Sequence, residues 1–282
     1  MKTVLITGGG GRMGLCIAES FKDGDYNVII TSRRADVERG IKSLDIRDVD
    51  DCIEATKNVD VIIHLAYYMK NDGFRENQVP TNVIGTWNLY EAAVKNKVKR
   101  VIFCSSNHVM GFYKKTDKLT ENTIPRPDSP YALTKCFSEL CGRFFSDRCG
   151  VSVINVRIGA FITDYNGLPY SEHRCKIWLS YRDTQQLFRK CVEADDKIKF
   201  LTIYGVSNNS NGYFDISDLK DKIGYEPKDN GALYLDSALQ IDKFKGKDNN
   251  IFLGGDNPLR SPWTGDIVDE NEEILIKSHS LD

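Results

Sequence analysis

The chain has 282 residues, of which 41% are hydrophobic and 28% are charged, and its formal net charge at pH 7 is −2. This length suits one large domain, or a main domain with a smaller annex, around a substantial hydrophobic core. The small net charge gives no reason to expect a nucleic acid or an anionic membrane as a partner, and the apolar runs are too short to span a bilayer.

Eight cysteines occur without a C-x-x-C pair, and the four histidines are widely separated along the sequence. This spacing predicts neither a disulfide framework nor a metal site. The N-terminal residues lead straight into an apolar strand without a signal-peptide pattern. We therefore expect a cytoplasmic protein with reduced thiols.

Short β-branched runs alternate with helical periodicity through the first two-thirds of the chain. Strands are predicted at 4–7, 28–31, 61–65, 101–104 and 151–156, and helices near 12–22, 48–57, 82–97 and 130–148. The strands are mostly apolar on both faces, which is typical of a parallel sheet covered by helices on both sides. The pattern predicts an α/β fold, a Rossmann-type doubly wound parallel sheet.

The pattern changes after residue 158. A helix near 181–193 and a strand at 200–204 are predicted to rejoin the sheet, whereas 160–180 is predicted to form a loop. We therefore divide the chain into a dinucleotide-binding domain, 1–158, completed by about 181–206, and a small C-terminal substrate-side annex with a tail, 159–180 and 207–282. The tail is expected to contact a neighbouring subunit.

The stretch TGGGGRMG, from Thr7 to Gly14, follows the first predicted strand and opens the first predicted helix. Gly8, Gly11 and Gly14 fit the pattern G-x-x-G-x-x-G. Glycines at these positions allow a tight turn, a close approach of the backbone to a pyrophosphate and close helix–sheet packing. The loop predicts a dinucleotide cofactor.

The second predicted strand continues into Ser32, Arg33 and Arg34. NAD-binding folds usually place an acidic residue here, which hydrogen-bonds the 2′-hydroxyl of the ribose. A hydroxyl and two guanidinium groups suit a 2′-phosphate better, and Arg12 in the glycine loop could stack on adenine or reach the same phosphate. This slightly favours NADP and leaves NAD open.

The stretch YALTK, from Tyr131 to Lys135, places a phenol and an ammonium four residues apart on one helical face, 25 residues after Ser106. The ammonium is expected to lower the pKa of the phenol, which could then exchange a proton with a substrate hydroxyl. The stretch SSNHVMGFY, from Ser105 to Tyr113, directly follows a predicted strand, so its polar groups should face the ligand crevice.

These motifs resemble the extended branch of the short-chain dehydrogenase/reductase family over residues 1 to about 230. The resemblance implies Ser106, Tyr131 and Lys135 as the catalytic set. Further matches are Asp45-Ile46, the stretch from His64 to Ala66, and Asn82 at the start of a helix. The implied cofactor contacts are Gly8, Gly11, Arg12, Met13, Gly14, Ser32, Arg33, Asp45, Ile46, Leu65, Ala66, Asn82, Tyr131, Lys135 and Ile158.

Longer stretches, including RPDSPYALTKCFSE, VRIGAF and RCKIWLSYRD, are similar to uronate dehydrogenases and to archaeal short-chain-type glucose-6-phosphate dehydrogenases. That similarity implies a substrate site for an anionic sugar, formed by Ser106, Asn107, His108, Tyr131 and Arg174. Two departures weaken the uronate assignment, because Met69 and Ala160 stand where uronate enzymes have serine.

The sequence thus predicts an NAD(P)-dependent oxidoreductase that oxidises C1 of a small anionic sugar to its lactone. A nucleotide-sugar epimerase or dehydratase of the same fold is the first alternative, although such enzymes need a larger C-terminal region. A nonenzymatic NAD(P)-binding redox sensor is the second. Members of the family are commonly oligomers, so a homo-oligomer is also expected, although no segment of the sequence proves it.

Overall fold

The computed structural model describes residues 1–70, 73–162, 168–169, 171–238 and 251–254. A parallel seven-stranded sheet in the order β3-β2-β1-β4-β5-β6-β9 forms its centre. A separate parallel pair joins β7 to β8. The strands are β1 (Lys2–Thr7), β2 (Tyr26–Ser32), β3 (Ile41–Ser43), β4 (Val61–His64), β5 (Arg100–Ser106), β6 (Ser152–Ile158), β7 (Ala160–Phe161), β8 (Trp178–Leu179) and β9 (Phe200–Gly205).

Helices cover both faces of the sheet, because its central strands are apolar on both sides. One core layer lies under α1 and α6, around Ile17, Leu187 and Phe188, and the other lies under α2, α3 and α4, around Leu89 and Phe145. The helices are α1 (Arg12–Glu19), α2 (Val49–Ala55), α3 (Gly85–Lys95), α4 (Pro130–Cys149), α5 (Glu172–Ile177), α6 (Tyr181–Glu193) and α7 (Leu219–Ile223).

The predicted α/β fold class, a Rossmann-type doubly wound sheet, is confirmed. Every predicted strand and helix of the sheet core is present, and the later helix and strand form α6 and β9, which lies beside β6. The strand predicted at 101–104 extends to Ser106, so the two serines belong to the strand itself.

The sequence missed the edge strand β3, the π-helical segment Phe74–Ile84 and helix α5. The prediction of a loop throughout 160–180 was wrong, because α5 and the pair β7–β8 lie within it. A six-residue helix is too short to show periodicity. It is stabilised by its cap Ser171, whose hydroxyl accepts from the amide of Arg174 at 3.2 Å, and by an ion pair between Lys176 and Glu172 at 3.0 Å.

After β9 the chain continues through α7 to a 3₁₀ turn at Gly231–Tyr234. Of the predicted tail, residues 239–250 and 255–282 lie outside the described residues. Segment 251–254 is described, and it packs beside residues 111–115. Among the described residues, no helix combines the length and the apolar character needed to cross a bilayer.

Candidate active site

The glycine loop follows β1 and runs into α1 at the carboxyl edge of the sheet. Gly8 has a φ of +65°, and a Cβ there would lie 2.6 Å from the Cα of Ala66. A Cβ on Gly14 would lie 2.4 Å from the Cα of Gly9. The loop and helix are therefore packed more closely than any side chain allows, and Gly11 caps α1 without a side-chain hydrogen bond. This backbone cradle at a helix N-terminus fits a pyrophosphate.

The end of β2 lies beside this loop, where a Cβ on Gly10 would be 3.4 Å from the Cβ of Ser32. The hydroxyl of Ser32 donates to the carbonyl of Arg34. Arg33 and Arg34 are exposed, as is Arg12 at the start of α1. Three guanidinium-bearing residues thus lie near the glycine loop.

The predicted cofactor residues Asp45 and Ile46 differ in burial. Asp45 is half-buried and accepts from Arg47 Nε at 2.9 Å, and this pairing lowers the pKa of its carboxyl group. Ile46 is buried, and a Cβ on Gly85 would lie 2.7 Å from its Cγ1. Ile46 therefore anchors the start of α3, whereas Asp45 retains access to the surface.

The remaining predicted cofactor residues border the same edge of the sheet. Met13 lies 3.9 Å from the thiol of Cys104, measured between sulfur atoms. Leu65 and Ala66 follow β4 and are half-buried, and Ile158 is buried at the end of β6.

Asn82 is buried and fixes the loop after β4. Its amide oxygen accepts from the backbone N–H of Tyr68 at 2.8 Å, and its amide nitrogen donates to the carbonyl of Tyr68 at 3.0 Å. The same nitrogen donates to Thr134 of α4 at 3.1 Å. Asn82 therefore ties this loop to the helix that carries Tyr131.

His64 is a structural residue beneath the site. Its ring nitrogens hydrogen-bond with Thr7 at 2.8 Å and Thr86 at 3.2 Å. Complete burial lowers its pKa to about 3, with a further lowering by Lys135, so the ring is neutral at physiological pH.

Helix α4 positions the phenol and the ammonium. Ser129 caps the helix by accepting from the amide of Ala132 at 3.2 Å, and Pro130 fixes its first turn. Tyr131 lies in that first turn, where its side chain faces Ser106, the last residue of β5. Lys135 follows one turn later and donates to the carbonyl of Cys104 at 2.5 Å.

The sequence predicts that Lys135 lowers the pKa of Tyr131, but in the structure burial raises it. The Nζ of Lys135 lies 3.5 Å from the ring centroid of Tyr67 and 5.6 Å from that of Tyr131, so the ammonium is directed at the first ring. Burial also lowers the pKa of Lys135 from 10.5 to about 8. The prediction that Lys135 lowers the pKa of Tyr131 is therefore wrong.

A network behind the strand end determines which serine faces the cavity. Ser105 donates to Glu139 at 2.6 Å, and Arg157 holds the same carboxylate through two bonds of 3.0 and 2.8 Å. Successive side chains of a strand point to opposite faces, so Ser106 points the other way and lines the cavity. The buried ion pair also fixes α4 against β5 and β6.

A cavity of about 360 Å³ opens in front of Ser106 and Tyr131. The sequence had singled out seven of its lining residues, and the structure adds five more from three parts of the chain. The seven are Met69, Ser106, Asn107, His108, Tyr131, Ala160 and Arg174, and the five are Gly159, His173, Ile177, Leu253 and Gly254. A larger depression of about 540 Å³ lies around Phe200 at the amino end of β9, away from these groups.

Met69 and Ala160, the two departures from uronate dehydrogenases, both line this cavity, and the Met69 side chain is 73% exposed at its edge. The cavity therefore carries a thioether and a methyl group where two hydroxyls were expected. The sequence missed Asp128, whose carboxylate lies 2.6 Å from His108 Nδ1. No motif links these two residues, which are 20 positions apart.

The family described as NAD dependent epimerase/dehydratase matches residues 4–184. The chain belongs to this family. The match includes the glycine loop, Ser106, Tyr131, Lys135 and Arg174, and it confirms the resemblance to extended short-chain dehydrogenases predicted from the sequence.

Within the family, the chain is 32% identical to the NAD-dependent glucose-6-phosphate dehydrogenase of Haloferax volcanii, over 85% of this chain and 98% of that one. It is 31% identical to the L-arabinose 1-dehydrogenase (NAD(P)(+)) of the same organism, over 84% and 100%. Uronate dehydrogenase from Agrobacterium tumefaciens, solved also as a mutant complexed with NAD, has a TM-score of 0.83 and 27% identity, over 93% of this chain and 98% of that one.

Proposed function

We propose that the chain is an NAD(P)-dependent dehydrogenase that oxidises C1 of a small anionic sugar, a hexose phosphate or a uronate, to its lactone. The observation that carries the proposal is one cavity that joins Ser106 and Tyr131 to Asn107, His108 and Arg174. Relatives named for glucose 6-phosphate, uronate and arabinose support oxidation at a sugar.

In this proposal Ser106 hydrogen-bonds the oxygen on C1, and Tyr131 takes the proton from that oxygen. The two side chains line the same cavity, so a substrate hydroxyl placed between them would meet both. A nicotinamide cofactor, held by the glycine loop and Lys135, would supply the acceptor for the hydride that leaves C1. Loss of the proton and the hydride together is the two-electron oxidation of the sugar hemiacetal to a lactone.

We further propose that Lys135 and the glycine loop hold the cofactor, with a slight preference for NADP. Exposed Arg33 and Arg34 at the end of β2 supply guanidinium groups for a 2′-phosphate. NAD remains the alternative, since the Haloferax relative is named NAD-dependent. The other proposed contacts are Gly8, Gly11, Arg12, Met13, Gly14, Ser32, Asp45, Ile46, Leu65, Ala66, Asn82, Tyr131 and Ile158.

We assign the substrate side of the cavity to the two segments that the sequence analysis separated from the cofactor-binding domain, 159–180 and 207–282. Supporting this division, Gly159, Ala160, Arg174 and Gly254 come from these segments and line the cavity.

A spectrophotometric screen tests the proposal. Glucose 6-phosphate, glucuronate, galacturonate and the neutral sugars glucose and arabinose are each incubated with NAD and with NADP, and absorbance at the reduced nicotinamide band is followed. We expect reduction with an acidic sugar, faster with NADP than with NAD. Cofactor that stays tightly bound through purification, with no sugar oxidised, would instead favour the nucleotide-sugar epimerase alternative.

Arg174→Ala should raise KM for the acidic sugar by about tenfold or more and leave KM for a neutral aldose nearly unchanged. A guanidinium can bind a carboxylate or phosphate through two parallel hydrogen bonds, and alanine removes both. Arg148→Ala, an exposed arginine in the last turn of α4, is the matched control. Equal effects on both sugars would remove Arg174 from recognition of the anionic group.

We also propose that the chain is a homo-oligomer that pairs the outer faces of α3 and α4 in two copies. Trp87 of α3 stacks on Phe144 of α4 with their ring centroids 5.8 Å apart, within an exposed apolar face. Its exposed apolar side chains are Ile84, Trp87, Leu133, Phe137, Leu140 and Phe144. Because a two-fold axis would match this face with itself, a second copy can cover it.

Light scattering should give a mass for the wild type that is a multiple of the chain mass. The measured mass should be lower for Leu140→Glu. A single-chain mass for the wild type would contradict the proposal.

A further inference from the structure

The imidazole of His108 is held by a buried carboxylate. Its Nδ1 lies 2.6 Å from Oδ2 of Asp128, whose side chain has no exposed surface. The other carboxylate oxygen, Oδ1, accepts from the hydroxyl of Ser129 at 2.8 Å. An ionised carboxylate can only accept hydrogen bonds, so Nδ1 carries the proton in this pair, and in a neutral ring the lone pair is then on Nε2.

Two glycines, Gly111 and Gly254, lie directly against the carboxylate of Asp128. A Cβ on Gly111 would lie 1.8 Å from Asp128 Oδ2, and one on Gly254 would lie 2.0 Å from it. Both distances are far inside van der Waals contact, so neither position can hold a side chain unless Asp128 moves. The absence of a Cβ at both positions is what lets the backbone surround the carboxylate.

Gly254 belongs to a segment, 251–254, that is distant in sequence from the catalytic residues. Backbone hydrogen bonds fix it beside residues 111–115. The N–H of Lys115 donates to Ile251 at 2.8 Å, that of Leu253 donates to Tyr113 at 2.9 Å, and that of Gly254 donates to Gly111 at 2.9 Å. The segment therefore reaches the cavity at a fixed register, with Leu253 and Gly254 in its wall.

We propose that Asp128 is a positioning residue that fixes the tautomer and orientation of His108, so that Nε2 accepts a hydrogen bond from a sugar hydroxyl, and that segment 251–254 holds Asp128 in place through Gly254. The proposal rests on the proposed function, in which His108 contacts the sugar. The ring of His108 lies edge-on to that of Tyr131, with centroids 6.4 Å apart, so its orientation determines how the substrate meets the base.

The tautomer can be measured without any sugar. The chain has four histidines, and nitrogen-15 NMR of the imidazoles assigns the protonated nitrogen in each. In the wild type we expect His108 to carry its proton on Nδ1. In Asp128→Ala we expect a mixture richer in the Nε2-protonated form, while buried His64 stays unchanged. A His108 signal identical in wild type and variant would overturn the proposal, whatever the sugar screen shows.

Gly254→Ala is a second variant, and it removes no polar side chain from the cavity. Its methyl group should displace Asp128, shift the His108 tautomer as Asp128→Ala does, and raise KM for the sugar by about tenfold with an unchanged Kd for the cofactor. Ile251→Ala is the control, because that side chain is exposed in the same segment. Wild-type KM and tautomer in Gly254→Ala would overturn the role of the segment.

Combining two variants tests whether Asp128 affects KM through His108. If Asp128 acts by positioning His108, then Asp128→Ala should add less than about twofold to KM once His108→Gln is present, because the group that it positions is gone. Each variant is first checked for its melting temperature and for its Kd for NADPH. Independent, multiplying effects of the two substitutions on KM would overturn the positioning role.

Discussion

Tyr131→Phe should lower kcat by about 10³-fold or more and leave the Kd for NAD(P)H within about twofold of the wild type. Phenylalanine keeps the ring that packs edge-on to Tyr67 at 5.8 Å between centroids. It removes only the hydroxyl, which is the proposed proton acceptor in the cavity that Tyr131 shares with Ser106. The expected loss therefore lies in the chemical step and not in binding or folding.

Tyr90→Phe is the matched control for this experiment. Tyr90 is a fully buried tyrosine that lies in α3 and stacks on Phe145 in the core, away from the cavity. Single-turnover rates with saturating sugar and cofactor separate chemistry from product release. Turnover near the wild-type rate in Tyr131→Phe would eliminate Tyr131 as the base and leave the proposed mechanism without a proton acceptor.

The sheet could be predicted because its strands are buried on both faces. Every residue of β4 is buried, for instance, and Val61, Ile62 and Ile63 form a continuous apolar run that is visible in the sequence. The edge strand β3 could not be predicted in the same way. It has three residues, two of them exposed, and carries almost no pattern.

The sequence predicted those parts of the candidate site whose residues lie close together along the chain. The four-residue spacing of Tyr131 and Lys135 survives folding because α4 is a regular helix. The pairing of Asp128 with His108, and the arrival of Gly254 beside them, depend on how separate loops pack, and no local pattern encodes such contacts.

The pKa of Tyr131 shows a second limit of sequence reasoning. The spacing places the ammonium and the phenol on one helical face, but it does not say which group the ammonium contacts. Tyr67 and the carbonyl of Cys104 hold Lys135, so the burial of Tyr131 outweighs the expected attraction. Burial is a property of the packed molecule, and here it reverses the sign of the predicted shift.

Lys135→Met should nearly abolish turnover and should change how stability depends on pH. Burial lowers the pKa of Lys135 from 10.5 to about 8, so between these values the unfolded chain binds more protons than the folded one. The free energy of unfolding of the wild type should therefore rise with pH across this window, by roughly 3 kcal/mol in total from this group. Methionine has no proton to bind and removes that dependence.

The sign can be checked at both limits of the window. Below about pH 8 lysine is protonated in both states, so the folded wild type carries the full cost of a buried ammonium, and the difference in unfolding free energy from Lys135→Met is constant. Above about pH 10.5 lysine is neutral in both states, and the difference is again constant but shifted in favour of the wild type. Denaturant titrations of both proteins from pH 7 to 11 measure this step.

In Lys95→Met, which replaces an exposed lysine at the end of α3, the pH step contributed by Lys135 should remain. A flat difference between wild type and Lys135→Met would mean that the ammonium is not desolvated where the structure places it. Lys135→Met also tests whether the same ammonium group affects both stability and activity. If the ammonium of Lys135 acts at the proposed cofactor site, the loss of turnover and the loss of the pH step should appear together in Lys135→Met and should both be absent from Lys95→Met.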